Sequence, residues 1–390
     1  MIPTRPGGAA RLAGTLLAVA LLASCSSRSG SAAPTSTTAA STSSSSVTTT
    51  VPLRSFTVAA SGDILLHTPV QASARANAGG KGFDFNPMFD DVRPVLSSAD
   101  LAICHLETPL SGDDTHLSGF PTFNVPHEIA PALAGAGFKA CDSSSNHAVD
   151  QGLRGVKDTL DALDAAGLGH TGGARSEAEA AMPPIYDVKG VKVGHLAYTF
   201  SYNGNPVPKD APWMARYLWT TVGEGQILAD AQALKARGAE FVIVSMHWGA
   251  EYGLAVDPGV VKLAHDLLAS PDIDLVLGDH GHVPQACEKV GGKYVEYDMG
   301  NFLSNQSPQT DRTLPADTQD GVILLFEVQE LTPGRFGVTQ LRFVPTFVTL
   351  PGHRVRQAKG PDLQASYERT VRAITTPPAG VGPCDAQPAF

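Results

Sequence analysis

Histidines and carboxylates recur in this chain just after short apolar runs. Gly278-Asp279-His280-Gly281-His282 follows Ile273-Asp274-Leu275-Val276-Leu277, a run with the length and bulk of a buried strand. A glycine lets the backbone turn there, and two imidazoles one residue apart can aim at one or two cations. Four other runs end in the same way. Ser61-Gly62-Asp63 closes the first, with His67 four residues on, and Glu107 closes the second, in His105-Leu106-Glu107. Asn146-His147 follows the third, with Asp150 three residues beyond, and His247 closes the next. Carboxylates, an amide oxygen and imidazoles together suit two divalent ions of hard or borderline character, Mn²⁺, Fe²⁺ or Zn²⁺. The absence of cysteine from the set argues against a structural zinc knot. Taken singly, each of these residues reads as a turn or surface residue; their common place at strand ends points to one site.

The elements that must position them alternate. Strand-like runs at Phe56–Leu66, Leu101–Leu106, Phe138–Asp142, Glu240–Met246 and Ile273–Leu277 are separated by helical stretches. Those stretches are Pro87–Ser97, Glu128–Ala136, Gly152–Ala166, Val222–Arg237 and Gly259–Ala269. The clearest is Gly152–Ala166, with Val156, Leu160 and Leu163 at helical spacing and Gly167 as its stop. Ile185–Val188 and Val191–Tyr198 read as a hairpin about Gly190, and the chain after Lys293 is mostly β. Alternating strand and helix implies an α/β layered fold whose ligands gather beyond the strands' carboxyl ends, with the late β-rich half forming a second mixed or antiparallel sheet.

The first residues read as an export signal. Arg5 and Arg11 precede an apolar stretch, Leu12–Ala23, too short to span a bilayer. Leu22-Ala23-Ser24-Cys25 matches a bacterial lipobox, which makes Cys25 the lipidated first residue of the mature chain; cleavage of an ordinary secretory peptide nearby is the alternative. The Ser/Thr-rich segment 25–54 then reads as a tether, spanning about 30 Å as a relaxed coil. The expected organisation is a signal peptide over 1–24, this tether, one domain over 55–350, and a C-terminal helix and tail over 351–390. Export places the protein on the outer face of the cell membrane, held by lipid. A formal net charge of -10 argues against nucleic-acid binding. Cys104, Cys141, Cys287 and Cys384 allow three pairings in an oxidising compartment. Cys104–Cys141, on consecutive expected strands, and Cys287–Cys384, pinning the tail, are preferred; free buried thiols are the alternative for the first pair.

In order and combination these blocks resemble the CapA (poly-γ-glutamate capsule synthesis) family. The resemblance rests on Gly62-Asp63, Leu106-Glu107-Thr108-Pro109-Leu110 and Ser145-Asn146-His147-Ala148-Val149-Asp150-Gln151-Gly152. It continues through His247-Trp248-Gly249-Ala250-Glu251-Tyr252, Gly278-Asp279-His280-Gly281-His282-Val283-Pro284 and Gly300-Asn301-Phe302. It covers roughly Phe56 to Leu350. It implies the calcineurin-like metallophosphoesterase fold, an α/β four-layer α/β/β/α sandwich of two facing mixed sheets. It further implies that Asp63 and His282 hold a first metal, that Asn146, His247 and His280 hold a second, and that Glu107 bridges them. His147 would face the substrate as a proton donor oriented by Asp150. Three departures stand out: His67, the remaining candidate metal ligand, lies four residues past Asp63 where the superfamily has Asp-x-His, His105 stands where many members have asparagine, and Asp279 adds a carboxylate before His280.

Some roles stay open at this level. His105 shares its strand face with Glu107 and is either a supporting partner or an extra ligand. Glu251 either orients His247 or sits in solvent, Asn301 either supports the site or ends a strand, and Trp248 and Tyr252 either pack or shape a rim. Three functions compete: a metal-dependent hydrolase of a phosphoester at the cell envelope, an accessory to the machinery that makes, exports or anchors a capsule polymer, and a lipoprotein that holds an anionic glycan or peptide.

Overall fold

The computed structural model describes residues 53–390. The signal peptide, Cys25 and nearly all of the tether lie outside the described residues. In chain order the strands are β1 (Ser55–Ile64), β2 (Leu101–Leu106), β3 (Ala140–Asp142), β4 (Gly169–Thr171), β5 (Ile185–Val188), β6 (Val191–Thr199), β7 (Phe241–His247) and β8 (Leu275–Asp279). They continue with β9 (Cys287–Val290), β10 (Lys293–Glu296), β11 (Asn301–Leu303), β12 (Asp320–Thr332), β13 (Arg335–Thr349), β14 (Arg354–Gln357) and β15 (Gln387–Pro388).

Two mixed sheets result. The first runs β14-β13-β12-β1-β2-β3-β4, with β11 added beside β1 and β15 beside β13. The second runs β5-β6-β7-β8-β10-β9. β1 to β4 are mutually parallel, as are β6, β7, β8 and β10, so their carboxyl ends point the same way within each sheet.

Alternation along the strands sets the layers. Val58 and Ala60 of β1 and Phe241 and Ile243 of β7 turn into one shared core between the sheets, with Leu101, Ile103, Leu275, Leu277 and Leu324. The intervening Ala59 of β1 meets Leu133, Val156, Leu160 and Leu163 from the helices Ile129–Ala136 and Gly152–Ala165. Val242 and Val244 of β7 meet Ile227, Leu234, Val260 and Leu267 from the helices Glu224–Ala236 and Pro258–Ala269. Both faces of the central strands β1, β2, β7 and β8 are therefore buried, which is why these strands read as unbroken apolar runs. The layers are helix, sheet, sheet, helix, the architecture expected from the sequence.

Several boundaries differ from expectation. The stretch Pro87–Ser97 is two short pieces, Asn86–Met88 and Arg93–Leu96, each with a proline in its first turn. Proline lacks the N–H that a continuing helix would need, so each one starts an element rather than sitting inside one. Nor is residue 350 a domain boundary. β14 and β15 both pair with β13, and Arg369 on the helix Gln364–Thr375 reaches Asp320 of β12 at 2.7 Å. These strands are too short and polar to carry a periodic signal. The tether ends before Arg54, whose guanidinium lies 2.6 Å from Glu240 and 2.9 Å from Glu330. Disulfides join Cys104 to Cys141, register partners on β2 and β3, and Cys287 to Cys384.

Candidate metal centre

The parallel strands deliver the chemistry at their carboxyl ends. Asp63 stands near the end of β1, Glu107 just past β2, Asn146 four residues past β3, His247 at the end of β7, and His280 and His282 just past β8. Close backbone approach fixes two glycines beside them. A Cβ on Gly62 would lie 1.9 Å from the Gly300 carbonyl oxygen, and one on Gly278 would lie 2.1 Å from that of Tyr297. His280 and His282 both adopt positive φ, 107° and 58°. For residues with a Cβ this costs about 1–3 kcal/mol each, a strain that persists only where the surroundings enforce it.

The side chains from both sheets meet. His282 Nδ1 lies 2.9 Å from Asp63 Oδ2, and its Nε2 lies 3.9 Å from Glu107 Oε1. His247 Nε2 is 3.2 Å from Asn146 Oδ1. The His247 ring lies 4.7 Å from that of His280 and 4.9 Å from that of His105. Ligand atoms of Asp63, Glu107 and His282 fall within 4.8 Å of one another, as do those of Asp63, His105 and His247. A third such group, His105 with Asp142 and Asp279, lies behind them.

The polar atoms at this meeting point are buried and unpaired. Asp63 Oδ1, both Glu107 oxygens, His105 Nε2, His247 Nδ1, His280 Nδ1 and both Asp279 oxygens have no hydrogen-bond partner. Buried polar atoms in folded proteins are almost always satisfied, and an unpaired buried carboxylate is expensive. Oxygen and imidazole donors converge there as a donor set for divalent cations, with the proton that His282 Nδ1 shares with Asp63 Oδ2 to be given up on binding, so the residues fit the metals the resemblance implies.

Electrostatics divide the set, favouring the metal-binding form at His280 and His247 and a retained proton at His282. Burial, reinforced by Asp63, pushes the Glu107 carboxyl up to about 7. Burial and the facing imidazoles push His280 down to about 3 and His247 well below the usual histidine range. Both rings are therefore neutral, the form that binds a metal. Burial opposes a charge on His282, yet Glu107 and Asp63 carry its imidazole up to about 10. Burial raises the Asp279 carboxyl well above the usual range, against the pull of His105.

His147 stands apart from the ligands. Its Nδ1 lies 2.7 Å from Asp150 Oδ2, which also accepts the Phe123 backbone N–H at 2.8 Å. Its Nε2 faces a cleft of about 420 Å³ lined by Asn146, Asp150, Asn203, Tyr252, His282 and Gln306 among others.

Other residues take different places. His105 donates toward the supporting carboxylates on one side, with Nδ1 at 2.6 Å from Asp142 and 3.8 Å from Asp279, while its Nε2 points at Asp63 from 3.8 Å. His67 lies on the cleft wall, edge-on to Phe123 at 5.6 Å, outside every ligand group. Glu251 is exposed and makes no hydrogen bond to His247; that histidine is held by Asn146 instead. Asn301 supports the turn that carries the site, donating to the His282 carbonyl at 3.3 Å and to that of Thr318 at 2.9 Å. Trp248 packs, donating to the Tyr297 carbonyl, whereas Tyr252 shapes the rim with Gln306. Sequence reasoning missed Asp142 and Asp298. Asp142 ends a strand that the sequence does mark, so the strand-end rule could have found it. Asp298 binds the Gly281 and Gly300 backbone N–H groups and so shapes the His280–His282 turn; nothing in its local sequence signals this.

Comparison with known proteins places the chain. It is 25% identical over 265 residues to the PGA biosynthesis protein CapA of Bacillus subtilis, covering 67% of this chain and 66% of that one. It is 26% identical over 254 residues to the capsule biosynthesis protein CapA of Bacillus anthracis, covering 64% and 60%. It is 29% identical over 223 residues to a probable polyglutamine synthesis accessory protein of Mycobacterium tuberculosis, covering 54% and 57%. The matches thus span less than two thirds of each of these relatives. Among solved structures it is similar to a phosphatase of Mycoplasma pneumoniae, with a TM-score of 0.47 at 14% identity over 80% of this chain and 98% of that one. Another is the calcineurin-like phosphoesterase YfkN of Bacillus subtilis, with a TM-score of 0.39 at 13% identity over 82% and 98%. Residues 57–306, which carry every strand-end ligand described above, match the family described as bacterial capsule synthesis protein PGA_cap, and the chain belongs to that family.

Proposed function

We propose that this protein is a metal-dependent phosphoesterase held at the cell envelope. The observation that carries the reading is the set of unpaired, buried carboxylate and imidazole atoms lying beside the His147–Asp150 pair at one cleft. Asp63, Glu107 and His282 would hold one ion, and Asn146, His247 and His280 a second, with Glu107 shared. Ions held there would supply Lewis acidity, which would make water nucleophilic at neutral pH and offset charge on a phosphoryl group.

The chain's own residues do the rest. Asp150 fixes the His147 ring by accepting from Nδ1, which leaves Nε2 toward the cleft. From there a protonated His147 gives its proton to the leaving oxygen, a general-acid step worth about 10²- to 10⁴-fold. His105, held by Asp142, backs Asp63 and His247 and keeps them in place. Phe123 packs edge-on against His147 at 4.7 Å and limits water at that face.

The test is to load the purified chain with Mn²⁺, measure its metal content, and assay bis-p-nitrophenyl phosphate. Turnover is expected. Two bound metals without turnover would refute hydrolysis and favour the second reading, which the relatives' names support: a non-hydrolytic accessory in making, exporting or anchoring an anionic capsule polymer. In either case the lipobox supports anchoring through Cys25 to the outer face of the membrane. Cys25→Ala should then move the protein from the membrane fraction to the soluble one and abolish palmitate labelling.

A further inference from the structure

The walls of the cleft differ in chemistry from its floor. The floor holds His147, Asp150 and His282, and the metal ligands lie around it. The walls and rim are Asn203, Asn205, Gln306, Tyr252 and Phe120, with His67, whose imidazole burial holds down at about 4. All of these are uncharged. No lysine or arginine is among the described residues that line the cleft, and the one carboxylate at its rim is the exposed Glu251.

That distribution selects among ligands. A polycarboxylate segment brings a negative charge with every residue. Proteins meet such charges with guanidinium or ammonium groups, through charge-assisted hydrogen bonds. Here a second or third carboxylate beyond the metals would find only amides and Glu251, on a chain whose net charge is already -10. Like-charge juxtaposition of that kind costs affinity rather than adding it. The floor, if its donor groups held the proposed ions, would accommodate one phosphoryl group and little further negative charge.

The same walls suit a hydroxyl-rich neutral group. Asn203 and Asn205 stand on either side of the catalytic pair: the Asn203 amide lies 3.4 Å from His147 Nε2, and Asn205 donates to Asp150 Oδ1 at 3.4 Å. Gln306 donates to the Tyr252 hydroxyl at 3.0 Å and presents the opposite side. Amides and phenols both donate and accept, as the hydroxyls of a sugar require. Phe120 at the rim is 74% exposed, an apolar face of the kind that a sugar ring covers. Few, placed polar groups with an aromatic face are what orient a small ligand in a cleft of this size.

We infer that the cleft takes a phosphodiester whose flanking group is an uncharged glycosyl residue, in preference to a segment of a polycarboxylate chain. The phosphodiester half rests on the hydrolase reading; the preference for a neutral flanking group rests on the walls alone.

Calorimetry separates the two. The full-length His147→Asn variant, loaded with Zn²⁺ and matched to the unmodified protein in metal content and circular dichroism, is titrated with methyl glucosyl phosphate, dimethyl phosphate and penta-γ-glutamate. The sugar diester should bind at least about tenfold more tightly than penta-γ-glutamate. Adding Phe120→Ala or Asn205→Ala should weaken the sugar diester by about five- to tenfold and dimethyl phosphate by less than about twofold. Phe120 and Asn205 are exposed, so their truncation leaves the core intact. Equal or tighter binding of penta-γ-glutamate would overturn the inference. So would the absence of sugar-diester binding up to about 10 mM, or sugar binding indifferent to both truncations. Failure of the unmodified protein to turn over any diester would instead count against the hydrolase reading and leave the binding preference standing.

Discussion

Glu107→Gln should make the metal-free protein more stable at pH 8, although it removes a ligand. Glu107 is fully buried, and neither of its oxygens has a hydrogen-bond partner. Burial pushes its carboxyl from 4.5 up to about 7. The folded state therefore holds a proton that the unfolded chain gives up earlier. Between pH 4.5 and 7 the native state binds more protons, so stability falls as pH rises. A displacement of about 2.5 units at about 1.36 kcal/mol each is about 3 kcal/mol lost by pH 8. That figure already contains the attraction of His282 for the carboxylate. Glutamine has nearly the same shape and no charge to desolvate, so the variant escapes the loss. Urea unfolding after exhaustive chelation, with residual metal measured, should show the variant more stable by up to about 3 kcal/mol at pH 8 and level with the unmodified protein near pH 4.5. Restoring Mn²⁺ should reverse the order once the metal is at about 1,000 times its Kd, where the unmodified protein gains about 4.1 kcal/mol of binding free energy that the variant lacks. A chelated variant that is less stable at pH 8, or a difference that does not shrink toward pH 4.5, would refute the assignment of Glu107 as a carboxylate kept for a cation.

Removing the proposed proton donor should separate from removing a proposed ligand. His147→Ala should lower kcat by about 10²- to 10⁴-fold on an aryl diester with metal content unchanged, whereas His280→Ala should deplete metal; loss of metal in the first would make His147 a ligand. His105→Ala should lower metal affinity by about 10- to 100-fold, as loss of a supporting partner does, and His67→Ala should leave the metal content as it was. Metal analysis by mass spectrometry decides both, and metal loss in the His67 variant would return that histidine to the ligand set.

The layered fold was legible because the central strands of both sheets are buried on both faces. Runs such as Phe241-Val242-Ile243-Val244 need apolar residues at every position, and that density survives in sequence without any partner being known. The strand-end residues were legible for the same reason: each run stops where a polar side chain must leave the core. What sequence hid was set by tertiary partners. His67 and Glu251 have the spacing of ligands or their supports. Yet His67 is the residue just before the helix Thr68–Asn77, on the cleft wall, and Glu251 lies on an exposed turn. β14 and β15 exist because β13 offers an edge to pair with, which no local pattern in Arg354–Gln357 or Gln387–Pro388 announces. Asp142 and Asp298 matter through the histidine ring and the backbone amides they hold, both remote in sequence.

The donor set is divided between the sheets, and this ties the chemistry to the fold. Asp63, His105, Glu107 and Asn146 come from the first sheet or the loops that leave it, and His247, Asp279, His280 and His282 from the second. Several close contacts that define the site cross that division: His282 with Asp63, His247 with Asn146, His105 with His247. Neither sheet alone can therefore bring together the oxygen and imidazole donors of both ions. The donors meet only once the apolar faces of β1, β2, β7 and β8 have docked, and the burial that makes this docking favourable also strips water from the carboxylates. A cation bound there would restore what docking costs those groups, and metal binding and sheet association would then stabilise each other. The positive φ angles of His280 and His282 fit this account: Asp298 binds the Gly281 amide between them, and strain at one turn is held by a network that exists only in the docked state.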